Sequence, residues 1–230
     1  MSSIDNGPIR YGRAVDLTLM PKTVDRWQHL KLKEIKNDYD PELHDTLYEY
    51  ASRCDHVTEF GVRWVESTFS FIIARPLKLI SIDIEHPNSY PQFNGRENLE
   101  LAYECAKECG VDFTFKLGST LGVDIEPTDL LFIDTEHSYL QLKHELKLHS
   151  NKVKKYILMH DTKAHAFVDS GSHLRRSGIK SRCGNLGLRP IPERQGLELC
   201  IEEFLQKNKE WMLDKHIITG QPGMTILRRR

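Results

Sequence analysis

Asp129-Leu130-Leu131-Phe132-Ile133-Asp134-Thr135-Glu136-His137 is the stretch on which the reading of the chain turns. Four consecutive apolar residues, Leu130 to Ile133, lie between two carboxylates, and an imidazole follows three residues after the second. A run that is apolar throughout, instead of alternating, suits a strand buried on both faces of a sheet. An acid at the end of such a strand lies at the carboxyl-end rim of a parallel sheet, where open α/β sheets bind ligands. Asp134 and His137 are therefore the first candidates for chemistry. The competing reading is a strand-end Asp that caps a helix beginning near Tyr139.

Working outward, the pattern alternates. Upstream, His56 to Phe60 reads as a strand, and Val65, Phe69, Ile72 and Ile73 as a helical stripe ending before Pro76. Leu77 to Asp83 is strand-like and ends in an acid. Leu99, Ala102, Ala106 and Cys109 mark a helix closed by Gly110. Val111, Phe113, Phe115 and Leu117 alternate with polar residues, as in a strand with one wetter face. Downstream, Tyr139, Leu142 and Leu146 predict a helix, and Lys154 to Met159 a strand running into His160-Asp161. Alternating strands and helices predict a doubly wound α/β fold, a mostly parallel, Rossmann-like sheet of about seven strands. After Leu197, Ile201, Phe204 and Leu205 on a helix face, Lys215–Thr219 and Met224–Arg228 read as two strands around Gly220-Gln221-Pro222-Gly223. That hairpin adds an antiparallel strand.

Two stretches stand outside this rhythm. Residues 1–53 read as an N-terminal arm (Met1 to Leu19) and helical extension, with helices over Thr23–Lys36 and from Asp40-Pro41-Glu42. Residues 54–230 then form the main domain. Within it, residues 169–190 are polar and glycine-rich, and a loop of that length after a strand end reads as a substrate lid.

Bulk properties bound the function. The 230 residues suit one domain, or one domain with an appendage. A net charge of -1, with no long run of one sign, argues against a nucleic-acid partner. No apolar stretch is long enough to span a bilayer. The five cysteines, Cys54, Cys105, Cys109, Cys183 and Cys200, are odd in number and scattered, as expected of reduced thiols in a cytoplasmic protein. A homo-oligomer stays open.

Four constellations carry chemistry. In Glu59-Phe60-Gly61-Val62-Arg63-Trp64-Val65-Glu66-Ser67, Gly61 allows a tight strand-to-helix turn and close approach to a ligand, and Ser67 adds a hydroxyl near the helix start. Neither a dinucleotide fingerprint nor a phosphate loop is present, because the further glycines and the Gly-Lys-Ser/Thr are missing. Asp83, about twenty residues on, suits the hydroxyls of a ribose, or is an ordinary strand-end acid. Gly118-Ser119 follows the third strand and borders the same crevice, or is simply a turn. Asp134 with His160-Asp161, at the ends of two neighbouring strands, suits a divalent cation such as Mg²⁺ or Mn²⁺. Taken singly, Asp161 also reads as a helix cap and His160 as a satisfied sheet-end histidine. A neutral His137 in the same pocket can take a proton.

Together these motifs resemble the class I S-adenosylmethionine-dependent methyltransferases. More narrowly they resemble the metal-dependent O-methyltransferase branch that includes cephalosporin-hydroxylase-like proteins and macrolide-sugar O-methyltransferases. The resemblance rests on Glu59-Phe60-Gly61-Val62-Arg63-Trp64, Ser81-Ile82-Asp83, Leu131-Phe132-Ile133-Asp134 with His137-Ser138-Tyr139, and Met159-His160-Asp161-Thr162. It covers roughly residues 40–228. It implies that Glu59, Gly61, Ser67, Asp83, Gly118, Ser119 and Asp134 surround S-adenosylmethionine. It implies further that Asp134, His160 and Asp161 hold Mg²⁺ or Mn²⁺, and that His137 is the base toward a hydroxyl of a sugar or small natural product. The chain departs from the family pattern twice: His160-Asp161 replaces two acids, and Val65 stands where a second glycine is usual. The alternatives are a methyltransferase-like binding module without turnover, and an NAD-dependent oxidoreductase on a similar sheet.

Overall fold

The apolar run of the opening stretch forms β4 (Thr128–Ile133), buried at every position. The computed structural model describes residues 41–170, 195–218 and 222–230. The arm and first helix expected before residue 41, most of the expected lid, and the middle of the last turn lie outside the described residues. Around β4 stand β1 (His56–Phe60), β2 (Lys78–Asp83), β3 (Asp112–Leu117), β5 (Val153–His160), β6 (Trp211–Ile217) and β7 (Met224–Arg229). The sheet order is β3-β2-β1-β4-β5-β7-β6. Neighbours among β1 to β5 pair in parallel, while β7 runs antiparallel to both β5 and β6.

The helices are α1 (Pro41–Ala51), α2 (Glu66–Ile73), α3 (Gly95–Cys109), α4 (Tyr139–His149) and α5 (Leu197–Lys207). They cover both faces, which is why the central strands are buried along almost their whole length. Leu130 and Phe132 of β4 pack on one side with Leu47 of α1, Phe69 of α2 and Ala102 of α3. Leu131 and Ile133 pack on the other with Leu142 of α4 and Ile201 of α5. Each such fully buried side chain contributes roughly 1.5–3 kcal/mol of hydrophobic stabilisation.

Local signals set the ends of the elements. Gly110 closes α3 in the left-handed conformation, φ 72°. The N-cap of α4 is Ser138, whose hydroxyl accepts the Gln141 N–H at 3.4 Å, so Asp134 does not cap that helix. β6 begins at Trp211, four residues before the expected Lys215. Trp211 is buried, and the register shifts between Leu213 and Lys215, which breaks the alternation that would have marked the strand.

Candidate active site

From β1 the chain builds outward through β2 to β3, then returns to place β4 on the other side of β1. At such a switch point the loops above the two strands part and leave a crevice. Gly61, the residue after β1, brings the two strand ends together. Its φ is +85°, and a Cβ there would lie 2.0 Å from the carbonyl oxygen of Asp134, so β1 and β4 meet through bare backbone. The crevice has a volume of about 520 Å³. Gly61, Asp83, Ser119, Asp134 and His137 all line it, with Arg63, Glu85, Tyr90, Thr120, Glu136 and Gln141.

Asp83 is locked by backbone donors. Its Oδ2 accepts the N–H groups of Val62 and Arg63 at 2.7 and 2.9 Å, and its Oδ1 accepts that of Glu85 at 2.9 Å. Acceptor capacity remains on Oδ1 for a hydroxyl in the crevice.

Asp134, His137, His160 and Asp161 converge because β4 and β5 pair in parallel with Ile133 opposite Met159. The Nε2 of His137 lies 2.9 Å from both Asp134 Oδ1 and Asp161 Oδ2, and His160 Nδ1 lies 3.2 Å from Asp134 Oδ1. Burial alone would favour the neutral His137 ring, but its two carboxylate partners outweigh burial and raise its pKa to about 10. Burial would likewise raise Asp134, yet the His160 charge and the hydrogen bonds from both histidines hold it far below the usual carboxylate range. Asp161 is lowered against its burial by the hydrogen bond from His137. His160 is raised against its burial by Asp134. Its Nε2 is buried and has no hydrogen-bond partner among the described residues, so it is not a fully satisfied sheet-end histidine.

Five candidates lie off the crevice lining: His160 and Asp161, which meet it through Asp134 and His137, and Glu59, Ser67 and Gly118. Glu59 and Ser67 meet each other instead: Glu59 is fully buried and accepts hydroxyls from Ser67 at 2.5 Å, Thr68 at 2.8 Å and Ser81 at 2.5 Å. It joins the start of α2 to β1 and β2, and burial raises its carboxyl to about 7. Gly118 donates its N–H to the Asp83 carbonyl at 2.7 Å and so seats its neighbour Ser119 beside the crevice.

Sequence reasoning missed Glu145. This fully buried carboxylate accepts hydrogen bonds from Thr120 at 2.6 Å, Gln141 at 2.7 Å and Thr135 at 2.9 Å, tying together three segments that border the crevice. Burial raises it to about 7. A signal existed: Glu145 follows Leu142 by three residues and so shares its buried helix face.

Strand order, mixed sheet and carboxyl-end crevice define the class I fold of S-adenosylmethionine-dependent methyltransferases. Neither protein-family models nor curated protein sequences match the chain. Solved structures do. A Staphylococcus aureus protein described as a caffeoyl-CoA O-methyltransferase is 15% identical, with a TM-score of 0.58 over 90% of this chain and 92% of that one. A Bacillus cereus O-methyltransferase in complex with S-adenosylhomocysteine is 13% identical, with a TM-score of 0.57 over 91% of each chain. The O-methyltransferase TomG from Streptomyces achromogenes, involved in tomaymycin synthesis and in complex with S-adenosylmethionine, is 13% identical, with a TM-score of 0.52 over 92% and 89%. At these identities the likeness is one of fold. Among the described residues no helix is long and apolar enough to cross a membrane.

Proposed function

We propose that the protein is an S-adenosylmethionine-dependent O-methyltransferase, assisted by a divalent cation, that acts on a hydroxyl of a sugar or small natural product. The observation that carries this reading is one crevice, at the switch point of a methyltransferase fold, bordered by Asp83, Asp134 and His137. Asp83 accepts the ribose hydroxyls, and the bare backbone at Gly61 admits the methionine part. Transfer is an in-line displacement with the sulfonium methyl about 3–3.5 Å from the attacking oxygen, so positioning supplies much of the rate.

The donor set near His137 fits a metal ion. One ligand atom each from Asp134, His160 and Asp161 lies within 4.8 Å of the others. Those three residues would hold the ion, which supplies Lewis acidity toward an acceptor hydroxyl. His137 shares Asp134 Oδ1 and Asp161 Oδ2 with that position. A protonated ring and a cation therefore compete for the same oxygens, and His137 serves as base only in its neutral form. The oxidoreductase alternative is not favoured, since the solved structures compared above are methyltransferases.

Calorimetry with S-adenosylmethionine, S-adenosylhomocysteine and NAD, each with and without Mg²⁺, tests the reading. The two sulfur ligands are expected to bind and NAD to fail. NAD binding without sulfonium binding would reverse the assignment, and failure of all three would favour a scaffold without turnover.

A further inference from the structure

Asp161 belongs to two groups of side chains able to hold a cation. One is Asp134, His160 and Asp161; the other is His137, Asp161 and His165. Both include imidazole nitrogen. The ring of His165 stacks on that of His137, with centroids 5.1 Å apart and planes 18° from parallel. His165 Nδ1 lies 3.3 Å from the carbonyl oxygen of Val168, which can only accept, so Nδ1 carries the proton and Nε2 keeps its lone pair. Such a contact fixes the tautomer of metal-bound histidines. In the first group, His160 turns Nδ1 toward both carboxylates, 3.2 Å from Asp134 Oδ1 and 3.9 Å from Asp161 Oδ2.

We propose that this cluster is a mixed nitrogen and oxygen site that selects a first-row transition ion, of the Mn²⁺, Co²⁺ or Zn²⁺ kind, over Mg²⁺. The reason is ligand chemistry. Mg²⁺ is small and hard, demands near-ideal octahedral oxygen coordination and dehydrates reluctantly. Imidazole instead suits the later divalent ions, whose affinities rise from manganese toward copper. The ion's place is the group Asp134, His160 and Asp161, which leaves His137 to its role as base and makes His160 the ligand that sets the preference. The inference rests on the methyltransferase reading for the ion's place beside the acceptor, but its test needs neither cofactor nor acceptor.

The metal-stripped protein would be titrated with Mn²⁺ while the signal of the free ion is followed by electron paramagnetic resonance. Mg²⁺ would then be added as competitor. The Co²⁺ form would be examined by visible absorption for nitrogen coordination. Mn²⁺ is expected to bind and to resist displacement by a hundredfold excess of Mg²⁺, and the Co²⁺ spectrum to report at least one nitrogen ligand. His160→Asp, checked for folding by circular dichroism, is expected to shift the Mn²⁺ to Mg²⁺ affinity ratio about tenfold toward Mg²⁺. The Co²⁺ spectrum of the unaltered protein decides the matter if that variant does not fold. Equal competition by Mg²⁺, an all-oxygen Co²⁺ spectrum, or no binding of either ion would overturn the proposal. S-adenosylmethionine binding measured separately leaves the methyltransferase reading standing or fallen on its own.

Discussion

Val65 is a β-branched residue with φ +77°, fully buried, immediately before α2. A side chain rarely sits in the left-handed region, and for a β-branched residue this is a true outlier. The sequence shows valine where the resembled family has glycine, yet the backbone here adopts the conformation a glycine would take. The substitution therefore stores strain instead of rerouting the turn. A Cβ in this region costs roughly 1–2 kcal/mol, whereas at an ordinary site glycine is worse than alanine by about 0.5–1 kcal/mol. Val65→Gly should consequently be at least as stable as Val65→Ala in urea unfolding, the reverse of the usual order. The proposed role of His137 makes a second prediction at this scale. His137→Ala should slow transfer by about 10²–10⁴-fold, the range for a lost acid–base group, while the calorimetric affinity for S-adenosylmethionine stays within a few fold. Loss of cofactor affinity together with activity would contradict that role.

Strand ends matter more than strand interiors for the site. Gly61→Ala would push a methyl into the Asp134 carbonyl at the junction of β1 and β4. Left-handed strain and overpacking together should cost about 2–5 kcal/mol, read as a lower urea midpoint; an unchanged midpoint would mean that the two strands do not touch there. Elements of this kind were legible in the chain because β4 is an apolar run ending at Asp134, β2 a mostly apolar one ending at Asp83, and β1 runs into Gly61, all three of which line the crevice. Less was legible at the rim of the sheet. The start of β6 was hidden by its register shift, and most of its middle residues are exposed, so neither alternation nor a continuous apolar run marks it. Glu145 was hidden for another reason. Its partners Thr120 and Thr135 come from two separate loops, and only the folded sheet brings them to α4.

Among the described residues, two carboxylates are 0% exposed, Glu59 and Glu145, each hydrogen-bonded by neutral donors and each raised to about 7 by burial. Their folded-state pKa exceeds the unfolded value of roughly 4.3, so folding favours the protonated form. The cost is absent below the unfolded pKa, grows as pH rises toward 7, and is complete above it, at about 4 kcal/mol per group. His137 acts in the same direction at higher pH: its raised pKa stabilises the fold below the unfolded value near 6.5, and that contribution is lost as pH rises through about 10. Thermal unfolding from pH 5 to 10 should thus show falling stability, and Glu145→Gln should flatten the part between pH 5 and 8. A variant profile parallel to the parent would contradict the burial of an ionised Glu145. Finally, β7, the last strand in chain order, lies between two strands made before it. Synthesis delivers the amino end first, so the five parallel strands can assemble while β5 still offers an open edge to stray chains. Among the described strands β6 pairs only with β7, so it cannot dock until residues 224–229 have emerged. One late insertion closes that edge and recruits β6 together, and a ribosome stalled just short of it would hold the protein in its most aggregation-prone form.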